Sequence, residues 1–594
     1  MSEENHNCQN CKKNFVIEPE DFEFYKKIQV LAPTFCPRCR LQRRLAFKNE
    51  RTLYKRNCDL CKKDIIAIFP SDVPFPVYCP PCWFSDKWDA ESYGVTYDPT
   101  RNFFPQFHDL MKRVPKVGLY IDWQRTVNSE YLHLTGPMKD CYLLFLAEDT
   151  ENCMYSYGLF HSKDTVDCTK VLHSTESYEL VNCHNCYHTL FSVDCRNCVN
   201  VYFSRNLNNC TDCFGCVNLV GKKNCIWNKQ HTEEDYKKEI NKLLSGSFRD
   251  FDYYKKQSRE TWLKYPNKFI HGHSNNNVSG DYIYNSKNVQ HSFEVIGGED
   301  NKYCHVINMQ PTNNCYDYGD WGKNASFMYE SVNCGEDISN TRFSYGTWIG
   351  KEMDYCDVSI EGDNLFGCIS LRRKGYCILN KRYSKGEYLS LRDRIIKDMN
   401  QNPYIDKRGR VYRYGEFFPI ELSPYPYYDT AANDLFSLSK EEIISEGYRW
   451  RDSEKREYAA TCKATDLPNT IQEVKDSILH EVIECAHKGN CNDRCTIAFR
   501  IVPQELAFYR KMNIPLPHLC HNCRHYERFK FMNPPQLWDR HCACSGFQSK
   551  GGVYSNTISH FHGDKECPNR FKTSYSLVRS EIVYCEQCYN AEVI

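Results

Sequence analysis

Asn182–Cys216 reads NCHNCYHTLFSVDCRNCVNVYFSRNLNNCTDCFGC and packs seven cysteines into one short stretch. Several of them form Cys-x2-Cys pairs, so the choice is between zinc sites, a disulfide knot and a third arrangement. The flanking sequence decides. Cys153, Cys168, Cys183, Cys198 and Cys213 recur at a constant step of fifteen, each preceded by Asn or Asp (Asn152, Asp167, Asn182, Asn197, Asp212). Cys195, Cys210 and Cys225 keep the same step, as do Tyr142, Tyr157, Leu172, Tyr187, Tyr202 and Val217. A short fixed repeat predicts a solenoid. A coil of about 15 residues is too short for two helices and a turn, but it suits a parallel β-helix built from short strands. Asn and Asp tolerate the bends, and Cys is small enough to fill a narrow interior. Thiols in one column point the same way, which is poor geometry for a tetrahedral ion. The central cysteines therefore read as core filling.

The chain has 594 residues, long enough for roughly three to five domains. Lys+Arg and Asp+Glu are equal at 76 each, so any nucleic-acid signal has to be local. No apolar run long enough to span a bilayer is present, and the start, MSEENHN, is polar. A cytoplasmic location is expected, with no membrane partner. In that reducing compartment 36 cysteines point to metal or buried thiols rather than disulfides.

The first cysteine block follows a different rule. Cys8-x2-Cys11 is followed by Cys36-x2-Cys39, and Cys58-x2-Cys61 by Cys79-x2-Cys82. Four thiolates in two tight pairs suit tetrahedral zinc, because each pair spans two corners from one turn. After Cys39 the sequence RLQRRLAFKNERTLYKR is strongly basic. Arg38, Arg40, Arg43, Arg44, Lys48, Arg51, Lys55 and Arg56 face a single acid, Glu50, and Phe47 and Tyr54 interleave. A zinc-braced basic helix with aromatics is one way to hold a phosphate backbone and stack bases. These eight residues are the candidate nucleic-acid contacts.

Shifted along the chain without a gap, this block lands on a C-terminal copy: Cys11 on Cys495, Tyr25 on Tyr509, Cys36 on Cys520, Cys39 on Cys523, Arg44 on Arg528 and Cys58 on Cys542. The copy predicts one zinc site at Cys491, Cys495, Cys520 and Cys523. A second is expected at Cys542, Cys544, Cys585 and Cys588, where Cys567, His560 or His562 are possible substitutes. About four zinc ions are expected in all. Cys462 and Cys485 receive no role. The copy keeps Arg524 and Arg528 but loses the dense basic run.

The central repeat is itself duplicated. FGCVNLVGKKNCIWNKQHTEEDY from Phe214 matches FGCISLRRKGYCILNKRYSKGEY from Phe366. Each copy runs into a capping box, at Thr232–Asp235 and Ser384–Glu387, and another stands at Thr470–Glu473. The predicted architecture is mainly β: a duplicated parallel β-solenoid flanked by duplicated zinc-ribbon, treble-clef modules with short helices. The expected divisions are a tandem zinc module at 1–90, an aromatic linker at 91–125, a first solenoid copy at 126–230, a capping helix and connector at 231–270, a second copy at 271–382, a capping helix and aromatic connector at 383–460, and a second zinc module at 461–594.

CQNCKKNFVIEPEDFEFYKK followed by PTFCPRCR, with Phe15, Phe24, Tyr25 and Arg40 in place, resembles the zinc-ribbon domain of treble-clef type. The wider pattern adds SDKWD, CFGCVNL and GEFFP. It resembles a multi-zinc-ribbon family of candidate-phylum bacteria and giant viruses, sometimes labelled CaiB/BaiF. That label names a coenzyme A transferase, and no residue constellation here supports such chemistry. The resemblance implies zinc and a modular fold, and no activity.

Three functional readings follow. The first is a non-enzymatic zinc-binding scaffold that meets nucleic acid or ribonucleoprotein through the basic helix. The second is a protein-interaction or structural particle component that uses the solenoid face, with zinc purely structural. The third is a carbohydrate-active or metal-dependent enzyme, drawing on His133, His161, His173, His184 and His188 or on the acids Asp149, Asp164, Glu179 and Asp194, which share the step of fifteen. No phosphate-binding glycine loop, HExxH motif or nucleophile elbow is present, so no catalytic residue is assigned.

Overall fold

The computed structural model describes residues 3–452 and 459–593. Strand is the main element, and the central strands pair in parallel with their successors. Tyr187 pairs with Val199 and Val199 with Thr211, a constant step of twelve. The same step joins Phe145 to Tyr157 and Lys163 to Thr175. The expected coil of fifteen is thus corrected to twelve.

The backbone explains both numbers. Asn182, Asn185, His188, Phe191, Asp194 and Asn197 all have left-handed φ between 48° and 56°, one at every third position. The residue after each one (Cys183, Cys186, Thr189, Ser192, Cys195, Cys198) is at most 2% exposed. Each side of the coil is therefore a triplet, with one left-handed corner and one inward side chain. Four sides close the coil at twelve, whereas the column with a step of fifteen takes five sides and climbs diagonally. Cys153 and Cys213 share a vertical column only because they lie five coils apart. Asp149, Asp164, Glu179 and Asp194 are likewise corner residues on successive sides, not one carboxylate row. His173 instead stacks on His161, one coil below, with ring centroids 4.8 Å apart.

Asn and Asp recur at the corners because short polar side chains tolerate the left-handed region. They also hydrogen-bond vertically: Asn182 Nδ2 donates to Asp194 Oδ1 at 2.6 Å and Asn200 Nδ2 to Asp212 Oδ1 at 2.8 Å. The inner position has two demands, smallness and an acceptor. Ser156, Ser174 and Ser204 hydroxyls accept from the backbone N–H of Cys168, Cys186 and Cys216 at 3.0, 3.2 and 3.0 Å. Cys183 Sγ accepts from Cys195 N–H in the same way, at 3.4 Å. Ser and Cys thus satisfy the amides of the inward residues, which would otherwise be orphaned inside the stack.

A second stack follows the connector helices Glu233–Leu243 and Phe248–Trp262. Its steps vary: Lys287 pairs with Glu299, Tyr316 with Tyr329 and His305 with Gly319, so the coil lengthens from twelve to thirteen and fourteen. Insertions at the corners account for the weaker repeat in its sequence. Each stack ends in an antiparallel turn-back, at Lys229–Gln230 and Lys381–Arg382, which pairs the last parallel strand. Capped helices follow, with Thr232 accepting from Asp235 N–H and Ser384 from Glu387 N–H. The capping box at Thr470–Glu473 opens only a 3-10 turn, Ile471–Glu473.

The terminal modules lie crosswise on the stacks. One apolar core joins Phe24, Tyr25 and Phe47 of the first module to Tyr329, Phe343 and Tyr355 of the second stack. Another joins Leu506, Tyr509 and Met512 of the last module to Tyr178, Leu190 and Tyr202 of the first stack. The aromatic connectors fill the seams, with Phe103 on Phe366 at 5.2 Å and Phe107 on Phe418 at 4.9 Å.

Candidate metal centres and the arginine clamps

Each metal-site motif begins as a turn that presents thiols. In the first module, strands Glu4–Asn7 and Asn14–Ile17 form an antiparallel hairpin around Cys8 and Cys11. Lys12, just past the pair, takes a left-handed φ of 60°. Cys36 is the N-cap of helix Pro37–Leu45, which carries Cys39 one turn in. The same plan recurs at Tyr54–Asn57, Asp64–Ala67 and the short helix Pro80–Trp83.

The sulfurs converge. Cys8, Cys11, Cys36 and Cys39 meet as one quartet and Cys58, Cys61, Cys79 and Cys82 as another, as the spacing predicts. Sγ–Sγ distances of 3.8 Å for Cys11–Cys36 and 3.9 Å for Cys61–Cys79 match the edge of a tetrahedron. That edge is roughly 3.8 Å for a zinc–sulfur bond of about 2.3 Å. Both quartets can hold a metal ion, and their all-thiolate donors suit zinc.

The C-terminal quartets differ from the predicted sets. In the third, Cys485 joins Cys495, Cys520 and Cys523. Cys485 is the counterpart of Cys8: its sulfur accepts from Cys520 N–H at 3.3 Å, as Cys8 Sγ accepts from Cys36 N–H at 3.2 Å. Cys491 is the expected ligand because it falls one residue from the place of Cys8 under the same shift. Its sulfur is 3.7 Å from Cys523 Sγ, so it borders this quartet. In the fourth quartet Cys567 joins Cys542, Cys585 and Cys588. Cys544, expected in that place, instead meets His560, His562 and Cys588. Cys8, Cys520 and Cys585 are each held far below the ordinary thiol range by hydrogen bonds from neighbouring thiols. One anionic sulfur is thus favoured in each of these three quartets. Among the central thiols burial raises Cys168, Cys304 and Cys356, whereas hydrogen bonds from neighbouring thiols lower Cys198 to about 4 and Cys141 to about 7.

The basic helix does not face solvent. Arg40, Arg43, Arg44 and Lys48 are at most 2% exposed. Arg40 Nε donates to Asp317 Oδ2 at 2.9 Å, and Arg44 Nη1 pairs with Asp317 Oδ1 at 3.0 Å. Arg43 spans Glu330 at 2.7 Å and Glu416 at 2.9 Å. Lys48 reaches Asp320 at 2.6 Å and also pairs with Glu50. Arg51 packs on Phe145, and Arg56 pairs with Asp59 at 2.8 Å. Of the eight candidate nucleic-acid residues, only Arg38 and Lys55 are exposed. The run is an internal clamp onto the second stack, and six of the eight candidate nucleic-acid residues are not exposed.

The other end repeats the clamp. Arg524 Nη1 meets Asp167 Oδ2 at 2.6 Å and Arg528 Nη1 meets Asp167 Oδ1 at 2.8 Å. Burial works against the charges of Arg40 and Arg524, and the carboxylates of Asp317 and Asp167 overcome it. Sequence reasoning missed these carboxylates. The available signal was selective retention: of the buried clamp residues Arg40, Arg43, Arg44 and Lys48, Arg40 and Arg44 recur in the copy, as Arg524 and Arg528.

Between the stacks lies a cavity of about 540 Å3 whose walls include Trp123, Trp321, Trp348, Tyr120, Glu148 and Arg373. Burial raises the Glu148 carboxyl above the usual range. Among the described residues no helix is long and apolar enough to cross a membrane.

No protein-family model matches the chain. A comparison with curated proteins finds no match either. Among solved structures, one described as a "putative acetyltransferase" from Desulfovibrio desulfuricans G20 is similar over 52% of this chain and 90% of its own. Its identity is 11% and its TM-score 0.09, and it carries no argument about this chain.

Proposed function

We propose that the protein is a non-enzymatic, metal-braced scaffold: two β-solenoids, the first built of regular four-sided coils, locked by zinc-ribbon modules whose ions are structural. The observation that supports this best is the paired clamp. Both modules spend their helix arginines on a buried aspartate of a strand stack, so their cations hold the molecule together. The outer faces remain for a partner. They carry regular polar ladders, such as Lys139–Glu151–Lys163 at 3.0 and 3.2 Å, and solenoid faces of this kind offer long docking surfaces. A protein partner on such a face is the reading favoured over nucleic acid.

The test is purification from the native host with and without nuclease, followed by reconstitution with each purified companion. A stoichiometric protein that survives nuclease and rebinds supports the scaffold. Recovery of RNA or DNA, lost on charge reversal of Arg38 and Lys55, counts against it. A second reading rests on the cavity between the stacks, where tryptophans beside Glu148 suit a carbohydrate ligand. Calorimetric titration with oligosaccharides, repeated on Trp348→Ala, tests that reading.

A further inference from the structure

The two metal-ligand groups of the last module share one sulfur. Cys588 belongs to the quartet with Cys542, Cys567 and Cys585, and also to the set with Cys544, His560 and His562. Its Sγ lies 3.7 Å from Cys567 Sγ on one side and 3.4 Å from His562 Nε2 on the other. Two tetrahedral ions need eight donor positions, and one bridging thiolate reduces that to seven side chains. Seven are present: five cysteines and two histidines.

The histidines are prepared as ligands. His560 Nε2 is 2.9 Å from Glu592 Oε1, with both side chains 0% exposed. Its other nitrogen, Nδ1, is buried and has no hydrogen-bond partner. His562 has the complementary arrangement: Nδ1 meets the Lys565 carbonyl at 2.8 Å, leaving Nε2 toward Cys588. A metal-bound histidine usually donates its remote N–H to a carboxylate or a carbonyl, and here one of each is in place. Glu592 is fixed in turn by Tyr554 Oη at 2.9 Å and Thr557 N–H at 2.9 Å. Cys588 and Glu592 stand one helical turn apart on helix Glu586–Val593, so one helical face supplies both the shared sulfur and the carboxylate. Asn556 Nδ2 donates to Cys544 Sγ at 3.2 Å and Asn569 Nδ2 to Cys585 Sγ at 3.3 Å, hydrogen bonds that suit sulfurs carrying negative charge.

We propose that this module holds a dinuclear zinc centre bridged by Cys588, with Cys542, Cys567 and Cys585 on one ion and Cys544, His560 and His562 on the other. The inference rests on the metal-braced reading of the terminal modules and adds a fifth ion to their four quartets. The test is to reconstitute the whole chain with zinc alone and count ions by plasma mass spectrometry. Wild type gives five ions per chain, and the double variant His560→Ala, His562→Ala gives four. Cobalt-substituted wild type needs no variant, and two of its five ions are magnetically coupled through the shared thiolate. Four ions in both proteins, or five with none coupled, overturns the bridge and leaves the metal-braced reading standing. Fewer than four in wild type defeats both.

Discussion

Replacing Asp317 by Asn tests the clamp directly. The substitution keeps the shape of the side chain and removes its charge. In the wild type three guanidiniums (Arg40, Arg43, Arg44) face three carboxylates (Asp317, Glu330, Glu416), and the cluster is neutral. Asp317 accepts from both Arg40 and Arg44, so its loss leaves one net positive charge buried. Glu330 is the nearest remaining carboxylate, at 3.8 Å from Arg40 and 3.3 Å from Arg44. Both contacts are longer than those lost, so compensation is partial. Breaking a buried pair from one side costs about 3–5 kcal/mol, and Asp317→Asn is expected in that range. Asp167→Asn, which strips Arg524 and Arg528, should cost a similar amount. The assay is urea unfolding followed by near-ultraviolet circular dichroism, with Arg38→Ala as an exposed control expected within about 0.5 kcal/mol of wild type. An Asp317→Asn protein as stable as that control would refute the clamp and return the basic helix to an external role.

Three other outcomes follow from the same geometry. Chelation of bound metal is expected to open the thiol hairpins to protease near Cys8–Cys39 and Cys485–Cys523 while residues 126–382 stay protected; uniform cleavage would contradict a structural role confined to the ends. Cys183→Ala removes the acceptor for Cys195 N–H without overpacking the interior, and should cost about 1–3 kcal/mol where Cys183→Ser, which keeps an acceptor, costs less; equal losses would show that the sulfur only fills space. Burial holds the His133 imidazole down to about 3, so it is neutral in the fold while an unfolded histidine takes up a proton below roughly pH 6.5. Its contribution is therefore complete above about pH 6.5 and is lost as pH falls toward 3, by up to about 1.4 kcal/mol per pH unit. Urea midpoints at pH 7, 6 and 5 should converge between wild type and His133→Gln as the pH drops.

The sequence displays the terminal quartets well because a metal site needs its ligands in local pairs. Cys8, Cys11, Cys58 and Cys61 sit in tight turns, and Cys36, Cys39, Cys79 and Cys82 at helix starts, where spacing is almost geometry. The pairing fails where a loop replaces the turn. Cys485 and Cys495 are separated by a segment that spacing cannot distinguish from a true ligand run, so Cys491 is the expected partner. The central repeat is visible as Cys after Asn or Asp, yet its period misleads. A residue repeating on every side is compatible with any multiple of three, and only the strand pairing singles out twelve. The arginine run misleads for another reason. A line of sequence shows cations but not the Asp317, Glu330 and Glu416 carboxylates that meet them from the far half of the chain.

The crosswise seating of the modules has a consequence for synthesis. Arg40, Arg43 and Arg44 find their counter-charges only when Asp317, Glu330 and Glu416 have been made. At about 5–20 residues per second, a ribosome needs roughly 15–55 s to travel from the first arginine to the first of those acids. Throughout that interval the opening segment waits with three naked cations, and any polyanion nearby is a competitor for them. Amputating the second half would therefore not liberate a working first half: it would strand a piece whose intended neighbour never emerges.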